Sequence, residues 1–391
     1  LSKNTLKSSL FLSLRFIPFF LLLLLTYGPK ALANFEDEVF LENRTPLDAG
    51  MDTDLRPDPR FRLRIDLSGT WDYTIEGGGR GHIGLPAAYD FVGAVSFQRK
   101  VELSLEQLEK FDFHLVQYGV NYQSDAYING DFLATHSGGY TSFSHEIPAA
   151  TLQPGKENTI RIDVRNDLNA RTTIPAKLQV WGWRNYGGVI RDVFLLGTPK
   201  LYIKDLVVRT SMTDDKSPVL LRVEPEIVGV DTSEGTKGAR SLGFFFDVVD
   251  KISGLPVGQS KMAKLENTGQ GWICGPSELS LSDVNAWTPD QPDLYVVRGY
   301  LTRFAGKEID TIDQFNINHG FRKVEIQEGN ILLNGRKLVL RGVIWNEDHP
   351  TWGNSIPYEQ MEKDVVLMKG LGANAIRFAN HPPHPYMLNL C

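Results

Sequence analysis

Two short loops near the C-terminal end of the sequence carry its densest polar chemistry. The first reads Ile344-Trp345-Asn346-Glu347-Asp348-His349-Pro350 and the second Arg377-Phe378-Ala379-Asn380-His381-Pro382-Pro383-His384-Pro385. Glu347 and Asp348 are carboxylates, a residue type able to give and take protons in general acid–base catalysis. Arg377 brings a guanidinium, which lowers the pKa of any carboxylate beside it. His349, His381 and His384 show no metal-ligand arrangement, so loop packing or surface roles are expected of them. The only two cysteines, Cys274 and Cys391, are far apart and belong to no zinc-type Cys/His spacing or disulfide framework. No cofactor is implied. Trp345, with Trp181 and Trp183 upstream, offers flat apolar rings suited to stacking on C–H faces, although plain packing explains Trp181 and Trp183 equally well.

A strand–helix–strand unit must hold these loops. Asn334-Gly335 closes a hairpin, and Lys337 to Val343 reads as a β-branched and Leu-rich strand. Pro357 then opens a helix, where its missing N–H costs nothing. Met361, Val365 and Met368 give that helix one apolar face at i, i+4, i+7. Gly370 and Gly372 end it, and Ala375 to Phe378 is a second buried strand. Short connections make this a βαβ unit with each loop following a strand.

Everything upstream reads as β structure. Phe61 to Gly197 contains many short strands and no long helical pattern. Asn129-Gly130 between alternating runs predicts a type I′ hairpin, and Pro154-Gly155 turns into a strand from Thr159 to Val164. This is a β-sandwich pattern. From Lys200 to Asn318 strands continue, clearest at Val219–Val223, Leu242–Val249 and Tyr295–Thr302. The length suits a second, Ig-like sandwich, without the cysteines of the antibody-type bridge.

The composition is that of ordinary globular protein, 42% hydrophobic and 23% charged, and 391 residues suggest two to three domains. A net charge of -6 without clustered Lys and Arg argues against a nucleic-acid partner. At the N-terminal end, Lys3, Lys7 and Arg15 accompany an apolar run from Phe16 to Leu25 and a small-residue site, Ala31-Leu32-Ala33. These features predict a signal peptide cleaved after Ala33, hence a secreted or periplasmic protein with no membrane association after cleavage. The apolar run is short of the roughly 20 residues that span a bilayer. Asn34 to Arg60, acidic and Pro-rich, reads as an extended lead-in.

Several strings resemble glycoside hydrolase family 2, the family of β-galactosidases, β-glucuronidases and β-mannosidases. They are Leu67-Ser68-Gly69-Thr70-Trp71, Tyr127-Ile128-Asn129-Gly130, Gly138-Gly139-Tyr140, and Asn185-Tyr186-Gly187-Gly188-Val189-Ile190-Arg191-Asp192-Val193. Further on come Trp287-Thr288-Pro289, Gly320-Phe321-Arg322, Arg341-Gly342-Val343 and Gly372-Ala373-Asn374-Ala375-Ile376-Arg377. Their order and spacing make the match specific. The resemblance implies a multidomain chain: signal peptide 1–33, lead-in 34–60, and a jelly-roll, galactose-binding-like sandwich over 61–198. An Ig-like sandwich over 199–318 and the incomplete start of a (β/α)₈ TIM barrel over 319–391 follow.

The family implies a retaining mechanism with one Glu as acid/base and another as nucleophile. Those carboxylates follow barrel strands 4 and 7. The sequence holds strands 1 and 2, so both are expected beyond Cys391. The family does not place its catalytic pair after strand 1, which makes Glu347 and Asp348 loop support. Glu347 is nevertheless grouped with Asn346, Asn380 and Trp345 as candidate substrate-binding residues. Arg377 is the expected support of the nucleophile, with a structural ion pair as the alternative. Family members usually carry His at the positions of Asn346 and Asn380; Asn cannot become charged. The expected function is hydrolysis of O-glycosyl bonds in β-linked oligo- or polysaccharides by the complete enzyme, the present chain being inactive alone. A non-catalytic carbohydrate-binding or scaffold protein is the alternative, and a family member that lost catalysis a third reading. Open parallel strands expose unpaired backbone groups, so the segment from about Arg336 onward is expected to be poorly ordered by itself.

Overall fold

The computed structural model describes residues 57–391 apart from 170, 172, 174–183, 214–217, 232–240, 270 and 306–307. The predicted signal peptide, most of the lead-in, Trp181 and Trp183 lie outside the described residues. Among the described residues three larger hydrophobic cores succeed one another along the chain, with a small fourth cluster of Ala88, Tyr186 and Ile190.

The first core lies between two antiparallel sheets. One has the order Leu63–Asp66, Val193–Thr198, Asp112–Gln117, Phe143–Glu146. The other runs Arg80–Leu85, Gly69–Ile75, Ala94–Glu102, Glu157–Arg165, Gln123–Ile128, Asp131–Ser137. Strand alternation builds this core directly: Glu157–Arg165 buries Asn158, Ile160, Ile162 and Val164 and leaves the intervening residues more open. These side chains meet Trp71, Phe97, Phe113 and Leu115 from both sheets. Leu63–Asp66 pairs with Val193–Thr198, so the unit is closed by its own first and last strands. At the predicted hairpin Asn129 and Gly130 both have positive φ, 53° and 93°, as a type I′ turn requires. The run Ser104–Gln107 hides a capping box: Ser104 accepts from the Gln107 amide and Gln107 from the Ser104 amide. It starts a short helix, Leu105–Lys110, that the strand-rich pattern conceals.

The second core, around Phe244, Phe246, Val297, Leu301 and Phe321, also lies between two sheets. Leu201–Ser211 and Val219–Gly229 pair in one, and Ser241–Asp250, Tyr295–Ala305 and Glu308–His319 in the other. A buried ion pair clasps the first two units. The Arg62 guanidinium meets the Asp313 carboxylate at 2.6 and 2.9 Å, and Asp313 also accepts from the Ile203 amide at 2.8 Å.

The third core is that of the βαβ unit. The hairpin at Asn334-Gly335 forms, but the parallel strand is Gly342–Trp345 rather than Lys337 to Val343. Arg336–Lys337 pairs back onto Asn330–Leu333. Asn374 then fixes the intervening run by accepting from the Arg341 amide and donating to the Val339 carbonyl, leaving Val339 and Leu340 exposed. Pro357 occupies the N-cap of the helix Tyr358–Gly370, whose Met361 and Met368 are buried as the periodicity requires. Gly372, at φ 79°, takes the left-handed conformation that ends it. Ala375–Phe378 runs parallel to Gly342–Trp345, and a final helix spans Pro385–Leu390.

The two parallel strands form a sheet of their own, with one face covered. Trp345, Ile356, Tyr358, Met361, Met368, Tyr386 and Met387 form a core of their own, and both sandwiches hold it. Contacts to the second include Lys251 and Asn318, both donating to the Asn389 side chain at 3.1 and 3.0 Å.

Candidate functional site

The parallel ladder pairs Ile344 with Arg377 and Trp345 with Phe378, so alternate residues divide between two faces. Ile344, Asn346, Arg377 and Asn380 are exposed. Arg377 and Asn380 approach each other, Nη2 to Oδ1, at 3.5 Å. At the C-terminal ends of the two strands the sequence therefore presents a guanidinium and two amides to solvent. Together they can donate several hydrogen bonds and accept others, and only the guanidinium carries charge.

The opposite face is closed, which corrects two expectations. Trp345 is 8% exposed; its Nε1 donates to Asp364 at 2.8 Å and its ring stands edge-on to Phe378. It is the floor of the helix layer and has no free face for stacking on a ligand. Glu347 is also withdrawn from any substrate. Its side chain is 0% exposed and is held by Arg191, whose Nε and Nη2 lie 3.2 and 2.5 Å from the two carboxylate oxygens. Asp348 accepts from the Tyr186 hydroxyl at 2.8 Å. Both carboxylates are thus engaged by side chains of the first sandwich.

Around these contacts lies an interface whose members come from strings already visible in the sequence. Arg191 Nη1 donates to the Tyr140 carbonyl and Nη2 to the Pro382 carbonyl, both at 2.8 Å. The His381 ring stacks on Tyr140 with centroids 3.7 Å apart and planes 13° from parallel. Burial lowers the His381 pKa, partly countered by Glu347, so the stacked ring favours its neutral form. The Tyr140 hydroxyl accepts from Asn354 at 2.9 Å, and burial pushes its pKa up to about 12. The Tyr186 hydroxyl is likewise pushed up to about 12, by burial first and then by Asp348.

Beside Arg191, one Asp192 carboxylate oxygen receives the Tyr358 hydroxyl at 2.5 Å and His384 Nε2 at 2.7 Å. His384 Nδ1 accepts from the Tyr386 amide at 3.0 Å, which leaves Nε2 as the protonated nitrogen. His384 is therefore a buried structural histidine, consistent with the expected packing role. Within the sandwich, glycine lets the segment before Asp192 lie close to its neighbour: a Cβ on Gly188, at φ 127°, would sit 2.3 Å from the Ala87 carbonyl oxygen. Among the described residues no group of His, Cys, Asp and Glu could hold a metal ion.

Comparison with known proteins agrees with this organisation. Residues 324–391 match the family described as "Glycosyl hydrolases family 2, TIM barrel domain". A β-galactosidase of Kluyveromyces lactis is 26% identical over 310 residues, covering 75% of this chain and 28% of that protein. A β-galactosidase of Photobacterium profundum is 27% identical over 293 residues, covering 74% of this chain and 26% of that one. The chain thus spans about a quarter of the length of these relatives. In three dimensions it is similar to a Bifidobacterium dentium β-glucuronidase solved with coumarin-3-O-glucuronide. The TM-score is 0.73 at 21% identity, covering 85% of this chain and 60% of that one.

Proposed function

Since the chain belongs to glycoside hydrolase family 2, we propose that it forms the front part of a retaining β-glycosidase acting on oligo- or polysaccharides. Residues 61–198 are read as its jelly-roll, galactose-binding-like sandwich, 199–318 as its Ig-like sandwich, and 319–391 as the start of its barrel. The observation that carries this is the exposed strand-end face of Asn346, Arg377 and Asn380. Active sites in (β/α)₈ barrels sit at the C-terminal ends of the strands, and that is where the two loops lie. Asn346 and Asn380 bind the sugar, and Arg377 supports a nucleophilic Glu supplied by later barrel strands. A purely carbohydrate-binding or scaffold protein has no use for a docked barrel start with a guanidinium at a strand end. Export to the periplasm or medium follows from the predicted signal peptide.

Retention requires two carboxyl groups about 5 Å apart and a covalent intermediate. The test is therefore stereochemical. The uninterrupted reading frame that contains this chain is expressed and given an aryl β-galactoside and an aryl β-glucuronide, and the anomer released first is read by proton NMR. The β-anomer is expected; the α-anomer, or no hydrolysis of either, overturns the proposal.

A further inference from the structure

We infer that Arg191 is a positioning residue: with one guanidinium the first sandwich sets the spacing between the two loops that carry Asn346 and Asn380. The inference rests on the proposed role of those two amides in sugar binding, and it assigns their geometry to a residue that touches no sugar. Glu347, Arg191's carboxylate partner, is the immediate neighbour of Asn346 on the first loop. Pro382, whose carbonyl the same guanidinium binds at 2.8 Å, is two residues past Asn380 on the second. The Tyr140 carbonyl, also at 2.8 Å, ties both to the sandwich. Four of the five N–H donors of the planar fork are used in this way.

The Arg191 stem is itself fixed. A Cβ on Gly119 would stand 2.9 Å from Arg191 Cδ, and the Arg191 amide donates to the Gly119 carbonyl at 3.3 Å. Past the strands, a backbone bond from the Ala379 amide to the Trp345 carbonyl still joins the two segments, at 3.3 Å. Beyond it His381 reaches Glu347 only at 3.7 Å, and its ring is stacked on Tyr140, again a sandwich residue. The separation of the two loops beyond that bond is therefore handed to Arg191. A lysine could not replace it, because one ammonium cannot reproduce a rigid fork that meets a carboxylate and two carbonyls at once.

The experiment is amide hydrogen exchange on the full 391-residue chain. The variants are Arg191→Lys and the double substitution Arg191→Met with Glu347→Gln, which leaves no buried charge behind and so guards against simple misfolding. Three sets of amides are followed: Asp348, His349 and Gly353 on and just after the first loop, Ala379 on the second loop with Tyr386 in the helix that follows it, and the strand Glu157–Arg165 in the sandwich core. In the double variant both loops are expected to exchange at least about tenfold faster while the core strand is unchanged. Arg191→Lys is expected to restore protection to one loop and not to both. Wild-type protection of either loop in the double variant overturns the inference, as does restoration of both loops by lysine. So does a uniform rise that includes the core strand in both variants. Failure of the sugar-binding reading would show instead in the aryl glycoside assay and would leave these exchange rates as predicted.

Discussion

Replacing Asp192 by alanine should loosen the βαβ unit from the first sandwich without unfolding either sandwich. One carboxylate oxygen of Asp192 holds both the Tyr358 hydroxyl and His384 Nε2, all three groups being buried. A hydrogen bond to a charged group contributes about 1.5–3 kcal/mol, and truncation removes the acceptor that both donors share, so Asp192→Ala should cost roughly 3–6 kcal/mol. Asp192→Asn keeps an acceptor oxygen but loses the charge. At about 1 kcal/mol per bond, the difference between charged and neutral hydrogen bonds, it should cost about 2 kcal/mol. Native-state hydrogen exchange in the helices Tyr358–Gly370 and Pro385–Leu390 reads the local opening. The alanine variant should raise exchange there by more than about a hundredfold and the asparagine variant by about thirtyfold. The reasoning fails if both variants exchange like wild type, if alanine and asparagine are indistinguishable, or if Glu157–Arg165 accelerates equally.

The clasp between the sandwiches is testable in the same way: Arg62→Ala leaves Asp313 buried without its guanidinium and should destabilise by about 3–5 kcal/mol in urea unfolding. A change below about 1 kcal/mol would show that the pair does not bear on stability. His319, hydrogen-bonded to Thr210 at 2.6 Å, has its pKa lowered to about 4, by burial first and then by Arg322. Its folded pKa lies below the unfolded value, so the stability it conserves is complete above about pH 6.5 and lost as pH falls toward about 4. The loss should reach about 2 kcal/mol at pH 5, and His319→Gln should flatten that part of the pH profile; an unchanged slope would assign it to other groups. At the sugar face, Asn380→His should shift the preferred glycone of the proposed enzyme, because an imidazole can carry charge where the amide cannot. A panel of aryl β-glycosides with unchanged ratios would count against a sugar contact at Asn380.

Much of the architecture was legible because it is periodic or punctuated. The alternation in Glu157–Arg165, the turn at Asn129-Gly130 and the Met361/Met368 face follow from local rules, and the structure contains all three. The strand predicted from Lys337 failed because a β-branched run signals only propensity. The register is set by pairing with Ala375–Phe378 and by the Asn374 side chain, 33 residues from Arg341. The helix Leu105–Lys110 had a readable capping box, Ser104 with Gln107, that was masked by the strands around it.

At the site, the exposed Asn346, Arg377 and Asn380 could be picked out from two loops, but their neighbours could not be assigned. Trp345 and Glu347 alternate with Ile344 and Asn346, and a period of two alone would have placed them on the far face. That Glu347 meets Arg191, 156 residues away, is a tertiary fact with no local signal. The same holds for Tyr140 under His381 and for Asp192 against Tyr358 and His384. On the sandwich side Tyr140, Arg191 and Asp192 stood in strings that resembled the family, and what those strings share became visible only when the first sandwich was seen to dock on the barrel start.

The most direct test sets the 391-residue chain beside the polypeptide of the uninterrupted reading frame that contains it, on the same aryl β-galactoside and β-glucuronide. The account predicts hydrolysis of at least one substrate by the reading-frame product and none by the 391-residue chain, whose two loops offer amides and a guanidinium but no accessible catalytic carboxylate pair. Turnover by the 391-residue chain alone, or none by the reading-frame product, would contradict it.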